Sequence, residues 1–530
     1  MKVSPLTVLI FLFVAQFALY EYMLVAPERS SPPDKVYNRV SGYDSVYVSW
    51  MRQAALGSWV VRDQRTTAPI PGVFIYPLFI LLGKVSGLLH VDVEQVYLLS
   101  KVVGGILVFI SVYMLVKEFF PRMYRGAALM FILAVEMGPW WGKEASIFGL
   151  GIVLRHFGVA HHTIGEAAAL IFFILYYRNI YTRRVDRTIW MMLLGIFATS
   201  ILLPFMVQLW ITLAVVFGGI ALYRRIIKSY LITTVLAGAS IGLPALLYKY
   251  EFSLGPPWDH SAAAERMFYT TQDVVIRYFG SLFYYVPFFV LACIFLPTLW
   301  RRLSRPMQDI TTLSVVGVCM PILLLAILPM VSLPIANFRF IDAYVPVYPG
   351  IIAVVGLIGL WRSLGSAFDW RKIGTVALTF AIFATSVYAT GKFTNETVGA
   401  RRLEWDNIFI PISAWHAVQF FNTVPVNSGV LALEHFGDVI ADHAPVRVFV
   451  GMNPVYADFW QRESQARVFY AGTLPSTDAY EFLRSHDISY VFYGPIEEQV
   501  AGVQALYPDV LTPVYQSQGT TVYKVNESVR

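Results

Sequence analysis

The feature that most restricts what this chain can fold into is a series of apolar runs separated by short connections. A bilayer core about 30 Å thick takes about 20 apolar residues of α-helix. On that measure spans are expected at 5–25, 95–117, 125–141, 163–178, 188–204, 206–223, 230–248, 279–297, 310–331, 344–361 and 373–391. Inside lipid every backbone N–H and C=O must be satisfied within the segment, so runs of this length are helices. Composition agrees: 57% of the 530 residues are hydrophobic and 14% charged, against about 25% charged in soluble domains. The expectation is a polytopic α-helical membrane protein with about eleven transmembrane helices.

The connections alternate in chemistry. KEFFPRMYR, RNIYTRRVDR, YRRIIKS, WRRLSRP and WRSLGSAFDWRK are short and basic. Ser41–Pro69, Trp140–His162, Lys249–Arg277 and Ser332–Asp342 are longer and mixed in charge. The positive-inside rule places the first set and the N-terminus in the cytoplasm of a cell (plasma or inner) membrane and the second set outside. The run Leu6–Val25 is long for a signal-peptide core and lacks a small-residue cleavage site, so it reads as the first span. Gly72–Leu89 is apolar enough to cross, but crossing would turn the later basic loops outward. Its Pro71, Pro77, Gly83, Lys84 and Gly87 make it an interfacial or re-entrant helix at the outer face. The two cysteines, Cys293 and Cys319, lie inside apolar runs and form no disulfide framework or CxxC motif, so they read as small buried hydrophobes. No basic run interleaved with aromatics points to a nucleic-acid partner.

Beyond residue 393 the apolar runs shorten and alternate. VLALEH, VRVFVG, ARVFYAG and YVFYG predict strands. TDAYEFLRSHDI predicts a helix capped by Thr477 or Asp478, and TPVYQSQGTTVYKV a hairpin turning at Gln518-Gly519. Residues 393–530 therefore form a small α/β domain, extracytoplasmic after eleven spans. Residues 1–392 form the transmembrane domain, with a first external loop over 26–94.

Ionisable groups gather in the external loops, where they are costly beside a bilayer unless they face water, a ligand or one another. Arg155, His161 and His162 can donate charge-assisted hydrogen bonds to a lipid phosphate, or anchor an amphipathic helix at the interface. Adjacent histidines without a third ligand make a weak metal pattern. Arg339, between two apolar helices and followed by Asp342, either meets a phosphate diester or pairs with Asp342. Glu136, near the outer end of its helix, is an intramembrane acid with a functional role or a headgroup contact.

The first loop, GYDSVYVSWMRQAALGSW, then TTAP and an apolar stretch ending LLGKVSGLL, is similar to the first-loop signature of the C-type glycosyltransferase superfamily of integral-membrane enzymes. That superfamily includes the protein O-mannosyltransferases and the aminoarabinose transferases. VLALEHFGDVIADHAPVRVFVG and DISYVFYGPIEE resemble their C-terminal domains, and the resemblance covers most of the chain. It implies transfer of a sugar from a polyprenyl-phosphate donor to a hydroxyl on a glycan, lipid or protein acceptor. It also implies that the acid of the first loop, Asp44, acts as general base or metal ligand, and that Arg339 contacts the donor phosphate. A carboxylate at a membrane boundary, flanked by Tyr43 and Tyr47 on the acceptor side, can have its pKa adjusted by partial burial. The alternative for Asp44 is a helix cap ahead of Ser45–Leu56. Several members carry two adjacent acids where this chain has one, and a divalent cation takes several oxygen ligands. Metal dependence therefore stays open and no metal ligand is assigned. Asp63 is a supporting or acceptor-binding acid, or a solvated loop acid. Arg52 meets a phosphate or pairs with Asp44 or Asp63. The competing reading is a secondary transporter or lipid flippase of envelope glycan precursors. Such proteins show internal repeats and mid-membrane charges, which this sequence lacks.

Overall fold

The computed structural model describes residues 4–40, 43–135, 160–182, 187–204, 206–255, 258–260, 286–327, 347–363, 408–451, 458–501 and 506–528. Helices form where the apolar runs predict them: Pro5–Arg29, Val93–Phe119, Arg125–Val135, Ala160–Thr182, Arg187–Leu202, Met206–Arg224, Ile227–Glu251, Val286–Trp300, Arg305–Ile327 and Val347–Ser363. The expected span at 373–391 lies outside the described residues. Among the described residues three helices are long and apolar enough to cross a membrane by themselves, namely Pro5–Arg29, Val93–Phe119 and Ile227–Glu251. Cys293 and Cys319 are exposed rather than buried. A helix in lipid needs no polar outward face, so an apolar run does not tell which of its residues point inward.

The chain groups into two units: Met1–Met23 with Leu98–Lys249 and Glu265–Lys392, and Leu24–Tyr97 with Tyr250–Ala264 and Phe393–Arg530. The first contains the helical bundle. Inside it Asp309, fully buried, accepts hydrogen bonds from the Tyr177 and Tyr181 hydroxyls at 2.9 and 2.8 Å and from Arg224 Nε at 2.7 Å. Three helices are thus joined through one carboxylate, each group placed at the helix end next to a basic connection. A buried charge held by three donors is the arrangement an apolar surround requires.

The second unit joins the first loop to the C-terminal region. Strand β1 (Lys35–Tyr37) leads into helix α1 (Tyr43–Ala55), which packs on helix α2 (Pro77–Leu89). Gly83 and Gly87, one turn apart on α2, permit the approach: a Cβ at Gly83 would stand 2.2 Å from the Met51 carbonyl oxygen, and one at Gly87 2.6 Å from that of Ala55. With 13 residues, α2 is about 20 Å long, short of a bilayer core of about 30 Å. It turns Leu81, Val85, Leu88 and Leu89 outward.

In the C-terminal region β2 (Phe409–Pro411) pairs antiparallel with β1 and runs into α3 (Ile412–Phe420). There follow β3 (Gly429–Leu431), α4 (Glu434–His443), β4 (Arg447–Val448), α5 (Phe459–Tyr470), α6 (Ser476–Ser485), β5 (Tyr490–Tyr493), α7 (Pro495–Val500), β6 (Leu511–Ser517) and β7 (Thr520–Val525). The sheet order is β4-β3-β5-β7-β6, parallel across β4-β3-β5 and antiparallel across β5-β7-β6. Alternate residues serve its two faces: Val430, Phe492 and Val522 enter one core, Leu431 and Val491 the other. The hairpin turns at Gln518-Gly519, with Gly519 at φ +70, a conformation glycine adopts without steric cost.

Two local expectations fail. ARVFYAG is not a strand: its first five residues end α5. Glu463, Ala466, Phe469 and Tyr470 are the buried positions of that helix, a spacing of three and four that appears only when the window reaches back to Phe459. Neither Thr477 nor Asp478 caps α6; Pro475 holds the cap position without a side-chain bond, and both residues lie in the first turn. There Asp478 still opposes the positive end of the helix dipole.

Candidate active site

The first loop supplies half of the sequence candidates, and the C-terminal part of the second unit supplies partners that the sequence did not indicate. Asp44 is the second residue of α1, so it stands inside the helix rather than before it. The side chains of Tyr43 and Asp44 lie outside the described residues, as do Glu136, Arg155 and Arg339 altogether. Ser45, the neighbour of Asp44, is buried, and its hydroxyl accepts a hydrogen bond from Arg65 at 3.0 Å.

Arg65 is the centre of this arrangement. Its guanidinium is buried, donates from Nε to Asp438 at 3.1 Å, donates to Asp442, and has Asp63 at 3.8 Å. Asp438 and Asp442 are one turn apart on α4, so they share a face. A single residue of the loop thereby holds α4 and the first turn of α1 together. Burial works against the charge on Arg65, but Asp442, Asp438 and Asp63 together outweigh it and hold the guanidinium firmly protonated. One cation cannot satisfy three carboxylates equally. Burial therefore wins at Asp442, whose pKa is pushed up to about 6 in spite of Arg65 and a hydrogen bond involving Ser45. Asp63 is 3% exposed, with Oδ1 accepting from Arg65 N at 3.0 Å. A solvated loop acid is excluded; Asp63 belongs to the Arg65 cluster.

The rest of the loop is fastened in the same way. Thr66 receives a hydrogen bond from Arg462. Arg447 donates to the Thr67 carbonyl at 2.8 Å, and Val448 N to the Gln64 carbonyl at 2.8 Å. Arg52 does not pair with Asp63; among the described residues its ion-pair partner is Glu94, at 3.9 Å, and the alternative pairing with Asp44 lies outside them. Glu94 also lies 2.8 Å from His443 Nδ1, and His443 Nε2 lies 3.2 Å from Asn38 Oδ1. Burial lowers the Arg52 pKa, with Glu94 opposing.

Aromatic rings fill the space between α1 and α2. Tyr47 stacks on Phe79 at 4.3 Å and meets Trp50 at 5.6 Å and Tyr76 at 5.8 Å. Trp50 stacks on Tyr76 at 6.0 Å and meets Trp258 at 6.3 Å. Trp258 in turn donates to the Pro71 carbonyl at 3.3 Å, and Glu251 accepts from Phe74 N at 3.1 Å. In the helical unit, His161 and His162 occupy the first turn of the Ala160–Thr182 helix, His161 buried, with ring centroids 4.2 Å apart. No group of three or more His, Cys, Asp or Glu able to hold a metal occurs among the described residues.

No family model matches the chain, and no curated protein matches it. Among solved structures it is similar to the Archaeoglobus fulgidus oligosaccharyltransferase, at 13% identity and a TM-score of 0.49, over 99% of this chain and 75% of that one. It is also similar to ArnT from Cupriavidus metallidurans bound to undecaprenyl phosphate, at 14% identity and a TM-score of 0.46, over 98% of each chain.

Proposed function

We propose that this chain is a membrane glycosyltransferase that moves a sugar from a polyprenyl-phosphate donor to an acceptor hydroxyl on the extracytoplasmic face, with Asp44 as general base. The class of reaction rests on the first-loop and C-terminal sequence patterns carried on a series of apolar helices. The observation that supports Asp44 is the anchoring of its helix. The adjacent Ser45 hydroxyl is bonded to a buried arginine that is itself held by two aspartates of α4. A base has to be held at a fixed place to be effective, and a buried charged network supplies that rigidity.

The step is a displacement at the anomeric carbon. Asp44 takes the proton of the acceptor hydroxyl, the oxygen forms a bond to C1, and the bond from C1 to the phosphate oxygen breaks. The polyprenyl phosphate leaves with the electron pair, and the configuration inverts. The leaving group is already good, so the enzyme chiefly needs a base. Arg339 and Arg155, with His161 or His162, are assigned to the donor phosphate on the sequence pattern.

Purified full-length protein given polyprenyl-phosphate sugars and glycan, lipid or peptide acceptors is expected to release polyprenyl phosphate. Asp44→Asn is expected to lower that rate by about 10²–10⁴-fold, the usual contribution of a general base. Movement of intact lipid-linked sugar across a vesicle bilayer, with no phosphate released, would establish the flippase reading instead.

A further inference from the structure

Arg225 occupies a position that favours glycine. It and Ile226 are the only residues between the helices Met206–Arg224 and Ile227–Glu251. Its φ is +55°. Ile226 N donates to the Ala221 carbonyl at 3.0 Å, and Arg225 N to that of Leu222 at 3.3 Å. This is a helix end closed through a left-handed residue, most often glycine, and a side chain there carries a steric cost. The Arg225 side chain is exposed, so burial does not account for it. A strained residue kept at the surface asks for a functional reason.

A second tight turn, 301–304, joins Val286–Trp300 to Arg305–Ile327, and Arg301, Arg302 and Arg305 are exposed there. The two turns are held side by side. Arg224 donates to Asp309 at 2.7 Å and to Gln308 at 2.9 Å, Gln308 donates to the Trp300 carbonyl at 2.9 Å, and the Tyr223 and Trp300 rings lie 6.3 Å apart. Asp309 already accepts from Arg224, Tyr177 and Tyr181. Among the described residues no carboxylate pairs with Arg225, Arg301, Arg302 or Arg305; Arg305 lies over the Tyr181 ring at 4.8 Å. Two long helices also begin here, Ile227–Glu251 and Arg305–Ile327, and their positive dipole ends add to the guanidinium charge. Beside Arg225 the apolar side chains of Leu222, Tyr223 and Ile227 are exposed.

We propose that these two turns bind the headgroup of an anionic phospholipid. Arg225, Arg301, Arg302 and Arg305 hold its phosphate, and its acyl chains lie along Leu222 and Ile227. The turns belong to the basic connections YRRIIKS and WRRLSRP, which the positive-inside pattern assigns to the cytoplasmic leaflet. Basic pockets between spans on that side take anionic headgroups, and a guanidinium matches a phosphate in shape as well as charge. The apolar flank favours a phosphate that carries acyl chains over a soluble one, and Tyr223 and Trp300 are the residue types that settle at headgroup level.

The test titrates full-length protein in detergent micelles with phosphatidylglycerol, phosphatidylcholine, undecaprenyl phosphate and glycerol 1-phosphate, and reads binding by native mass spectrometry. Wild type is expected to prefer phosphatidylglycerol to phosphatidylcholine by about tenfold or more. Arg225→Gly combined with Arg302→Gln is expected to weaken phosphatidylglycerol about 30-fold, about fivefold for each cation removed. Glycine accepts the left-handed φ without strain, so the loss is expected without a fall in melting temperature. Arg301→Gln combined with Arg305→Gln replaces this pair if it does not melt cooperatively. Lys117→Gln combined with Arg122→Gln removes the same charge from another basic connection and is expected to change binding by less than about threefold.

Equal weakening in that control pair would show general attraction to a basic face and overturn the site, as would wild-type affinity in Arg225→Gly with Arg302→Gln. Equal binding of phosphatidylcholine, or glycerol 1-phosphate bound as tightly as phosphatidylglycerol, would overturn the anionic phospholipid as occupant. So would a larger loss for undecaprenyl phosphate than for phosphatidylglycerol in the arginine variants.

Discussion

Arg65→Met tests the reading that a single buried guanidinium fastens the first loop to α4. The guanidinium side chain is 2% exposed and lies among Asp63, Asp438, Asp442 and the Ser45 hydroxyl. Methionine keeps most of the stem volume and removes the charge. The three carboxylates then have no cation inside the cluster, and breaking a buried pair by deleting one partner costs about 3–5 kcal/mol. Each 1.36 kcal/mol is a factor of ten, so amide exchange by local opening over Glu434–His443 is expected to speed up about 100- to 5000-fold at pH 7.5. The effect shrinks at pH 5, where Asp442, titrating near 6, already carries a proton. Arg65→Met combined with Asp442→Leu removes both members of the closest pair and is expected to recover part of the loss, since contacting residues are not additive. Hydrogen-exchange mass spectrometry on the full chain in nanodiscs reads all three. Exchange changed by less than about threefold in Arg65→Met would refute the fastening role, because it corresponds to under about 1 kcal/mol.

Two further outcomes follow from the same unit. The Asp442 carboxyl is raised from 3.8 to about 6, so its ionisation opposes folding. Stability is higher below the unfolded value and falls as pH rises to the folded one, by at most about 3 kcal/mol. Relative to wild type, Asp442→Asn should therefore gain in melting temperature between pH 4 and 7, and parallel pH curves for the two proteins would refute this. Gly83→Leu on α2 meets the Met51 carbonyl, which cannot rotate away as a side chain would. A loss of about 1–3 kcal/mol or more is expected from overpacking, read as a fall in melting temperature, and an unchanged melt would show that α1 and α2 are not held at this distance.

The helices of the bundle were legible because lipid leaves few options: an apolar run of sufficient length has to satisfy its own backbone. The turn at Gln518-Gly519 was legible for a comparable local reason, since a left-handed position between two β-rich runs asks for glycine. The ending of α5 was not, because Val, Phe and Tyr at its C-terminus favour strands locally, and the buried spacing is visible only over the whole helix.

The candidate site divides along the same line. Asp44 stood out because it is the acid in the stretch that resembles the superfamily's first-loop signature. Arg65 did not, although it is the more deeply buried of the loop's arginines: its partners, Asp438 and Asp442, are 373 and 377 residues away. Those aspartates lie on α4, which meets the loop only in the folded chain. The groups that fix the loop become costly only after folding has buried them, so their own segments carry little signal. A search for further determinants of the reaction is therefore best directed at the polar residues that α1, α2 and α4 bury against one another.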